Sequence, residues 1–145
     1  MRFVNVEQKT ATAFAFTTWY STLWTRIAIP SFVSQVMGGM KFHANASLPY
    51  ECFGFIVRKG GAVYTIPMPI TASSNHFYVD PNVLAQTLYG FDHAAVSILS
   101  TYHSHPGGTE TLTDADLPLT SWSPTHVLIA RTITDWTLHV FKWGA

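Results

Sequence analysis

Residues Tyr102 to Asp116 read Tyr-His-Ser-His-Pro-Gly-Gly-Thr-Glu-Thr-Leu-Thr-Asp-Ala-Asp, and they carry the most distinctive chemistry of the chain. The apolar run from Ala94 to Tyr102 leads straight into them and predicts a buried strand. Because side chains alternate along a strand, His103 and His105 leave the same face and can bind one metal ion together. The stretch therefore predicts a metal site at the end of a strand.

A third ligand follows the two histidines. Pro106, Gly107 and Gly108 stop the strand and turn the chain, and Thr113 to Asp116 then has the pattern of a helix start. The carboxylate of Asp116 would complete a set of two imidazoles and one carboxylate, which is an established ligand set of catalytic zinc. We expect one zinc ion, held by His103, His105 and Asp116.

The composition limits the function classes. A length of 145 residues, with 48% hydrophobic residues, predicts a single domain with one core. The formal net charge is zero, and no cluster of basic residues is longer than Arg58-Lys59, so a nucleic-acid binder is not expected.

The single cysteine, Cys52, excludes an internal disulfide and any zinc site that needs two thiolates. No segment has the pattern of a signal peptide or of a membrane span. We expect a soluble, cytoplasmic protein that binds no membrane.

Hydrophobic periodicity predicts an α/β fold in which helices pack on a mixed sheet. The predicted helices cover residues 30–45, 80–91 and 113–120, and the predicted strands cover 52–57, 62–67, 94–102, 126–130 and 136–143. The strands at 52–57 and 62–67 are predicted to pair as a hairpin, and Asp80, followed by Pro81, is predicted to cap the second helix. The first 29 residues are rich in Thr and aromatic residues and show a rough alternation, which indicates one or two edge strands or, alternatively, a surface for oligomerisation or for a partner.

Two further residues have both a structural and a catalytic interpretation. Glu51 lies where a polar turn meets a buried strand, so it is either a strand-start residue or a general base with a raised pKa. Thr113 is followed three residues later by Asp116, which is typical of a helix cap, while its hydroxyl could also donate to an oxyanion. The remaining histidines have no partner at ligand spacing, so each is interpreted as a surface or satisfied core residue and is given no role: His43, His76, His93, His126 and His139.

Together Glu51, the run His103-Ser104-His105-Pro106, Thr113 and Asp116 closely resemble the JAMM (MPN-plus, JAB) metallopeptidase family. The ten residues between His105 and Asp116 reproduce the family spacing, and Thr113 stands where the family usually has Ser. The resemblance covers roughly residues 27–143, which we take as the core of one domain, with residues 1–26 as an aromatic-rich extension.

The resemblance implies a deaminase-like domain, with a curved mixed sheet flanked by helices. It makes His103, His105 and Asp116 zinc ligands, Glu51 the general acid/base on the zinc-bound water, and Thr113 the donor to the oxyanion. The activity implied is hydrolysis of a peptide or isopeptide bond, at the C-terminal tail of a ubiquitin-like or sulfur-carrier protein. The alternatives are a peptidase of phage tails or cell walls, and a catalytically silent MPN-type interaction module. A homo-oligomer through the N-terminal segment is also consistent with this interpretation.

Overall fold

The computed structural model describes residues 24–73, 76–112 and 122–144. Within these residues the helices are α1 (Ser31–Gln35), α2 (Met37–Ser47) and α3 (Pro81–His93). The strands are β1 (Trp24–Ile27), β2 (Phe53–Lys59), β3 (Ala62–Pro67), β4 (Thr71–Ala72), β5 (Phe77–Tyr78), β6 (Ser97–His105), β7 (Thr125–Arg131) and β8 (Trp136–Trp143).

Six of the strands form one sheet in the order β1-β8-β7-β6-β2-β3, and β4 pairs with β5 in a separate two-stranded ribbon. Within the large sheet β6 and β7 are parallel, whereas the other neighbouring strands are antiparallel. The predicted mixed sheet with helices packed on it is therefore confirmed. The β2–β3 hairpin is also confirmed, with Lys59 opposite Ala62 at its turn.

Helices cover both faces of the sheet. On one face Ile56 packs in a cluster with Val33 of α1 and Met40 of α2. On the other face Phe55 packs in a cluster with Leu84 of α3. Because consecutive residues of β2 enter opposite clusters, this strand is buried on both sides, as its continuous apolar run predicts.

The helix predicted over residues 30–45 is two helices. Val36 lies between them with φ −111° and ψ 13°, outside helical geometry, while its side chain stays buried in the core. Gly38 and Gly39 follow at the start of α2, where their low helix propensity favours a break. Hydrophobic spacing alone did not show this break, because Val36 keeps its place on the buried face.

The strand predicted to begin at Ala94 begins three residues later. Helix α3 extends to His93, and Ala95 adopts φ +58°, a left-handed conformation that is uncommon for alanine. The amide of Ala95 donates to the carbonyl of Asp92, and that of Val96 donates to Phe91, which is the Schellman pattern at a helix end. The sequence did not predict this cap, because glycine is the usual residue at that position.

Other parts of the predicted fold agree with the structure or lie outside it. The Asp80 carboxylate caps α3 by accepting from the amide of Asn82 at 2.8 Å, as predicted. Of the aromatic N-terminal segment, Trp24–Ile27 is described, and it forms an edge strand against β8. The helix predicted over 113–120 lies outside the described residues.

Of the described helices, none has the length and apolar character needed to cross a membrane.

Gly54 provides a direct test of this packing, because a Cβ atom at this position would lie 2.5 Å from the ring of Tyr102. Tyr102 is fully buried and its hydroxyl is 2.7 Å from Nδ1 of His43, so the ring has little room to move. We expect Gly54→Ala to lower the free energy of unfolding by about 1–3 kcal/mol in urea denaturation. The control is Gly61→Ala, since nothing lies within 4 Å of a Cβ there. Equal stability of the two variants would contradict this packing.

Candidate metal centre

Glu51, His103 and His105 come together at one end of the sheet. One ligand atom from each of these side chains lies within 4.8 Å of the others, a grouping that can hold a metal ion. Glu51 and His103 are 4% and 1% exposed, whereas His105 is only half-buried. The cluster is therefore buried at Glu51 and His103 and partly open to solvent at His105.

The pairing of β2 with β6 brings these residues together. Phe53 lies opposite His103 in the antiparallel register, so Glu51, two residues earlier, continues the same face towards His105. The pairing with β6 continues before the first residue of β2. The amide of Ser104 donates to the carbonyl of Cys52 at 3.1 Å, and the amide of Cys52 donates to Oγ of Ser104 at 2.9 Å. These two bonds fix the backbone beside Glu51.

The two imidazoles point their Nε2 atoms at each other, 3.0 Å apart. Two nitrogens on one tetrahedral zinc ion are about 3.3 Å apart, so the rings need little adjustment to share a metal. Nδ1 of His105 donates to the carbonyl of Thr109 at 2.8 Å. Because a neutral imidazole carries a single proton, this bond leaves Nε2 of His105 as the nitrogen that can accept a metal.

His103 is held from behind by a residue that the sequence did not assign to the site. Nδ1 of His103 lies 2.6 Å from Nε2 of His126, and Nδ1 of His126 lies 2.6 Å from Oγ1 of Thr101. His126 is a buried histidine with both ring nitrogens hydrogen-bonded, which agrees with the predicted satisfied core residue. Its contact with His103 follows from the parallel pairing of β6 with β7, which sequence spacing does not reveal.

Burial keeps the imidazoles of His103 and His126 neutral. Desolvation, followed by the neighbouring His126 and His105, holds the pKa of His103 well below its ordinary value. Desolvation, with a smaller effect of His105, lowers the pKa of His126 to about 3. Phe77 contributes to this dry environment, since its ring stacks on Phe53 and contacts the ring of His103. Neutral imidazole is the form that binds metals.

Cys52 is not part of the cluster, although it follows Glu51 directly. Its side chain packs in the opposite core with Ile56 and Tyr102. Burial raises the pKa of its thiol to about 11, so the metal-binding thiolate form is disfavoured.

The loop after His105 is anchored to the far edge of the sheet. The Arg26 guanidinium donates to the carbonyl of Glu110 at 3.0 Å and also contacts His139. The Glu110 carboxylate lies 3.8 Å from Nε2 of His139. An end of the segment that the sequence placed outside the core thus contacts the loop of the candidate site.

Two of the predicted site residues, Thr113 and Asp116, lie outside the described residues. The third ligand and the oxyanion donor therefore stay predictions. The described donors are two imidazoles and one carboxylate, a set that fits zinc by number and chemistry.

A family model for the prokaryotic homologues of the JAB domain matches residues 34–140. The chain belongs to this family. The predicted resemblance is therefore confirmed, and the match contains Glu51, both site histidines and His126.

The fold of this JAB domain is similar to the solution structure of protein DSY2949 from Desulfitobacterium hafniense. The TM-score is 0.56 at 23% sequence identity, over 74% of this chain and 80% of the other. No curated protein matches the chain.

The Ser104 hydroxyl offers a test of how the strand end is held. Ser104→Ala leaves the amide of Cys52 buried without its acceptor, which costs about 1–3 kcal/mol in free energy of unfolding. Urea denaturation measures this, with Ser97→Ala at the exposed start of β6 as the control. Equal effects of the two substitutions would show that the bond to Cys52 contributes nothing.

The buried histidines predict that the metal-free JAB domain loses stability in acid. Unfolding restores their ordinary pKa of about 6.5, so below that pH the unfolded chain binds more protons than the folded one. With a chelator present, the free energy of unfolding should fall as the pH drops from about 6.5 towards 3, by up to about 1.4 kcal/mol per pH unit for each histidine. Urea titrations at several pH values measure the slope. His126→Gln should make it shallower, and an unchanged slope would contradict the assignment.

Proposed function

We propose that this JAB domain is a zinc-dependent peptidase or isopeptidase. The observation that carries the proposal is the convergence of a buried carboxylate, Glu51, with the Nε2 atoms of His103 and His105. Zinc held by these residues would supply a Lewis acid and would lower the pKa of a water molecule beside it to about 7. The family membership supports the same reaction class.

Each residue of the cluster has a role in this proposal. His103 and His105 hold the metal, with Asp116 as the proposed third ligand. Glu51 takes a proton from the attacking water and passes it to the leaving nitrogen, as a general base and then a general acid. Glu51 is suitably placed for this work, because it is buried beside both imidazoles. Thr113 is the proposed hydroxyl donor to the oxyanion.

Glu51 has a second role compatible with its position. A carboxylate within 4.8 Å of both imidazole nitrogens is close enough to bind the metal directly or to contact a water beside it. The two roles differ in outcome, since a ligand is needed for metal affinity and a base is needed only for hydrolysis. We favour the base because Asp116, at the family spacing from His105, can complete the ligand set.

The substrate we propose is a protein or peptide amide, in particular the C-terminal tail of a ubiquitin-like or sulfur-carrier protein. The half-buried side of the cluster at His105 gives such a chain access to the site. The alternative is a peptidase associated with phage tails or cell walls. A catalytically silent interaction module is disfavoured, because the described residues already include a carboxylate and two imidazoles in metal-binding arrangement.

Glu51→Gln distinguishes these roles. We expect the variant to bind zinc in the same stoichiometry as the wild type and to lose hydrolysis by at least about 100-fold, because the amide cannot accept the proton. Zinc content is measured by metal analysis, and cleavage is measured on ubiquitin-like fusions with a C-terminal extension and on a peptide library. Asp92→Asn, at the exposed end of α3, is the control.

The outcomes separate the alternatives. Loss of zinc together with activity would make Glu51 a ligand and leave the peptidase proposal intact. Retained turnover would overturn its catalytic role. A wild-type protein that binds zinc and cleaves none of these substrates would instead be an interaction module.

A further inference from the structure

We propose that His126 is a positioning residue for metal binding, which fixes His103 in the tautomer that can bind a metal. The inference rests on the proposed metal site and adds a residue that lies behind the ligands. His126 belongs to β7, and its ring reaches the face of β6 that carries both site histidines.

The geometry defines a linear chain of three side chains. Oγ1 of Thr101, the ring of His126 and Nδ1 of His103 are joined by two contacts of 2.6 Å. All three residues are fully or almost fully buried, at no more than 1% exposure. Thr101 lies directly opposite His126 in the parallel register, so the backbone pairing sets this contact.

Metal binding dictates where the protons lie along this chain. Nε2 of His103 faces Nε2 of His105 and is the nitrogen aimed at the metal, so its proton must reside on Nδ1. That N–H donates to Nε2 of His126, which must then be an acceptor. The proton of His126 consequently lies on its own Nδ1 and is donated to Oγ1 of Thr101. Each donor in this arrangement points away from the proposed metal site, because His103 donates to His126 and His126 donates to Thr101.

The chain matters because the opposite orientation uses the same two contacts. If Thr101 donated to His126, then His126 would donate to Nδ1 of His103, and the proton of His103 would occupy Nε2. That tautomer cannot bind a metal without rearranging both rings. His126 therefore determines the tautomer of His103. The tautomer of His105 is instead fixed by the carbonyl of Thr109, which can only accept.

The chemistry of the partner also has a consequence. Metal-bound histidines usually donate to a carboxylate, a carbonyl or water, and loss of such a partner costs about 10- to 100-fold in metal affinity. His126 is a neutral imidazole, so it orients His103 without adding negative charge to the site. His126 therefore holds His103 in place, and His103 donates less electron density to the metal than it would with a carboxylate as its partner.

The test compares His126→Leu with His126→Gln. Leucine removes the acceptor and should weaken zinc binding by about 10- to 100-fold, whereas the Gln carbonyl can accept from Nδ1 of His103 and should restore most of the affinity. Zinc affinity is measured by competition with a chromophoric chelator. The matched control is His43→Gln, which removes another histidine bonded to β6, on the side of Tyr102. It should bind zinc as the wild type does.

Thr101 gives a second pair of variants in case His126→Leu does not fold. Thr101→Val retains the shape of the side chain but removes the oxygen, and should weaken zinc binding towards the lower end of the same range, while Thr101→Ser should retain it. In zinc-loaded wild type, two-bond ¹H–¹⁵N correlation spectra should show His103 and His126 both protonated on Nδ1.

Each result decides between the two proposals. Unchanged affinity in the Leu and Val variants, or a His103 proton on Nε2 with zinc bound, would overturn the positioning role and leave the zinc site standing. Equal losses in the Leu and Gln variants would show a packing effect and would also overturn it. A wild type that does not bind zinc would overturn the proposed function and this inference together.

Discussion

The site depends on a short stretch of pairing beyond the end of β2, where Ser104 exchanges two hydrogen bonds with Cys52. Glu51 is distant in sequence from the histidines, and these bonds, together with the bond from its own amide to the carbonyl of Ser73, hold its backbone beside theirs. The side chain of Ser104 supplies one of them, so it replaces a carbonyl in the ladder. A residue inside the His-Ser-His run thus connects the strand that carries both candidate ligands to the carboxylate.

The sequence was sufficient for the parts of the molecule that depend on local geometry. A strand alternates its side chains, so His103 and His105 had to share a face, and their Nε2 atoms indeed meet. The Asp80 cap followed from local chemistry in the same way. The role of Glu51 could not be decided from residue type. Its two interpretations, a strand-start residue and a general base, differ only in which residues fold against it, and the family pattern was the first observation to favour the general base.

What the sequence could not provide depends on contacts between distant segments. His126 stands in an apolar run and has no ligand at a recognisable spacing, so only the parallel register of β6 with β7 relates it to His103. The helix break at Val36 and the left-handed Ala95 were missed for another reason. Both residues look like ordinary apolar positions, and tertiary packing, not propensity, fixes their backbone.

The chain of Thr101, His126 and His103 occupies space in the middle of a sheet that apolar side chains could fill. Well-packed apolar residues are often at least as stabilising as a buried polar network, so selection for folding alone would not maintain these three residues. If the proposed metal site functions, a lineage that lost that function would be free to replace them, and His126 could change first because it lies behind His103 and is not itself a proposed ligand. Among relatives, the identity of this one buried position would then record whether the site is still in use.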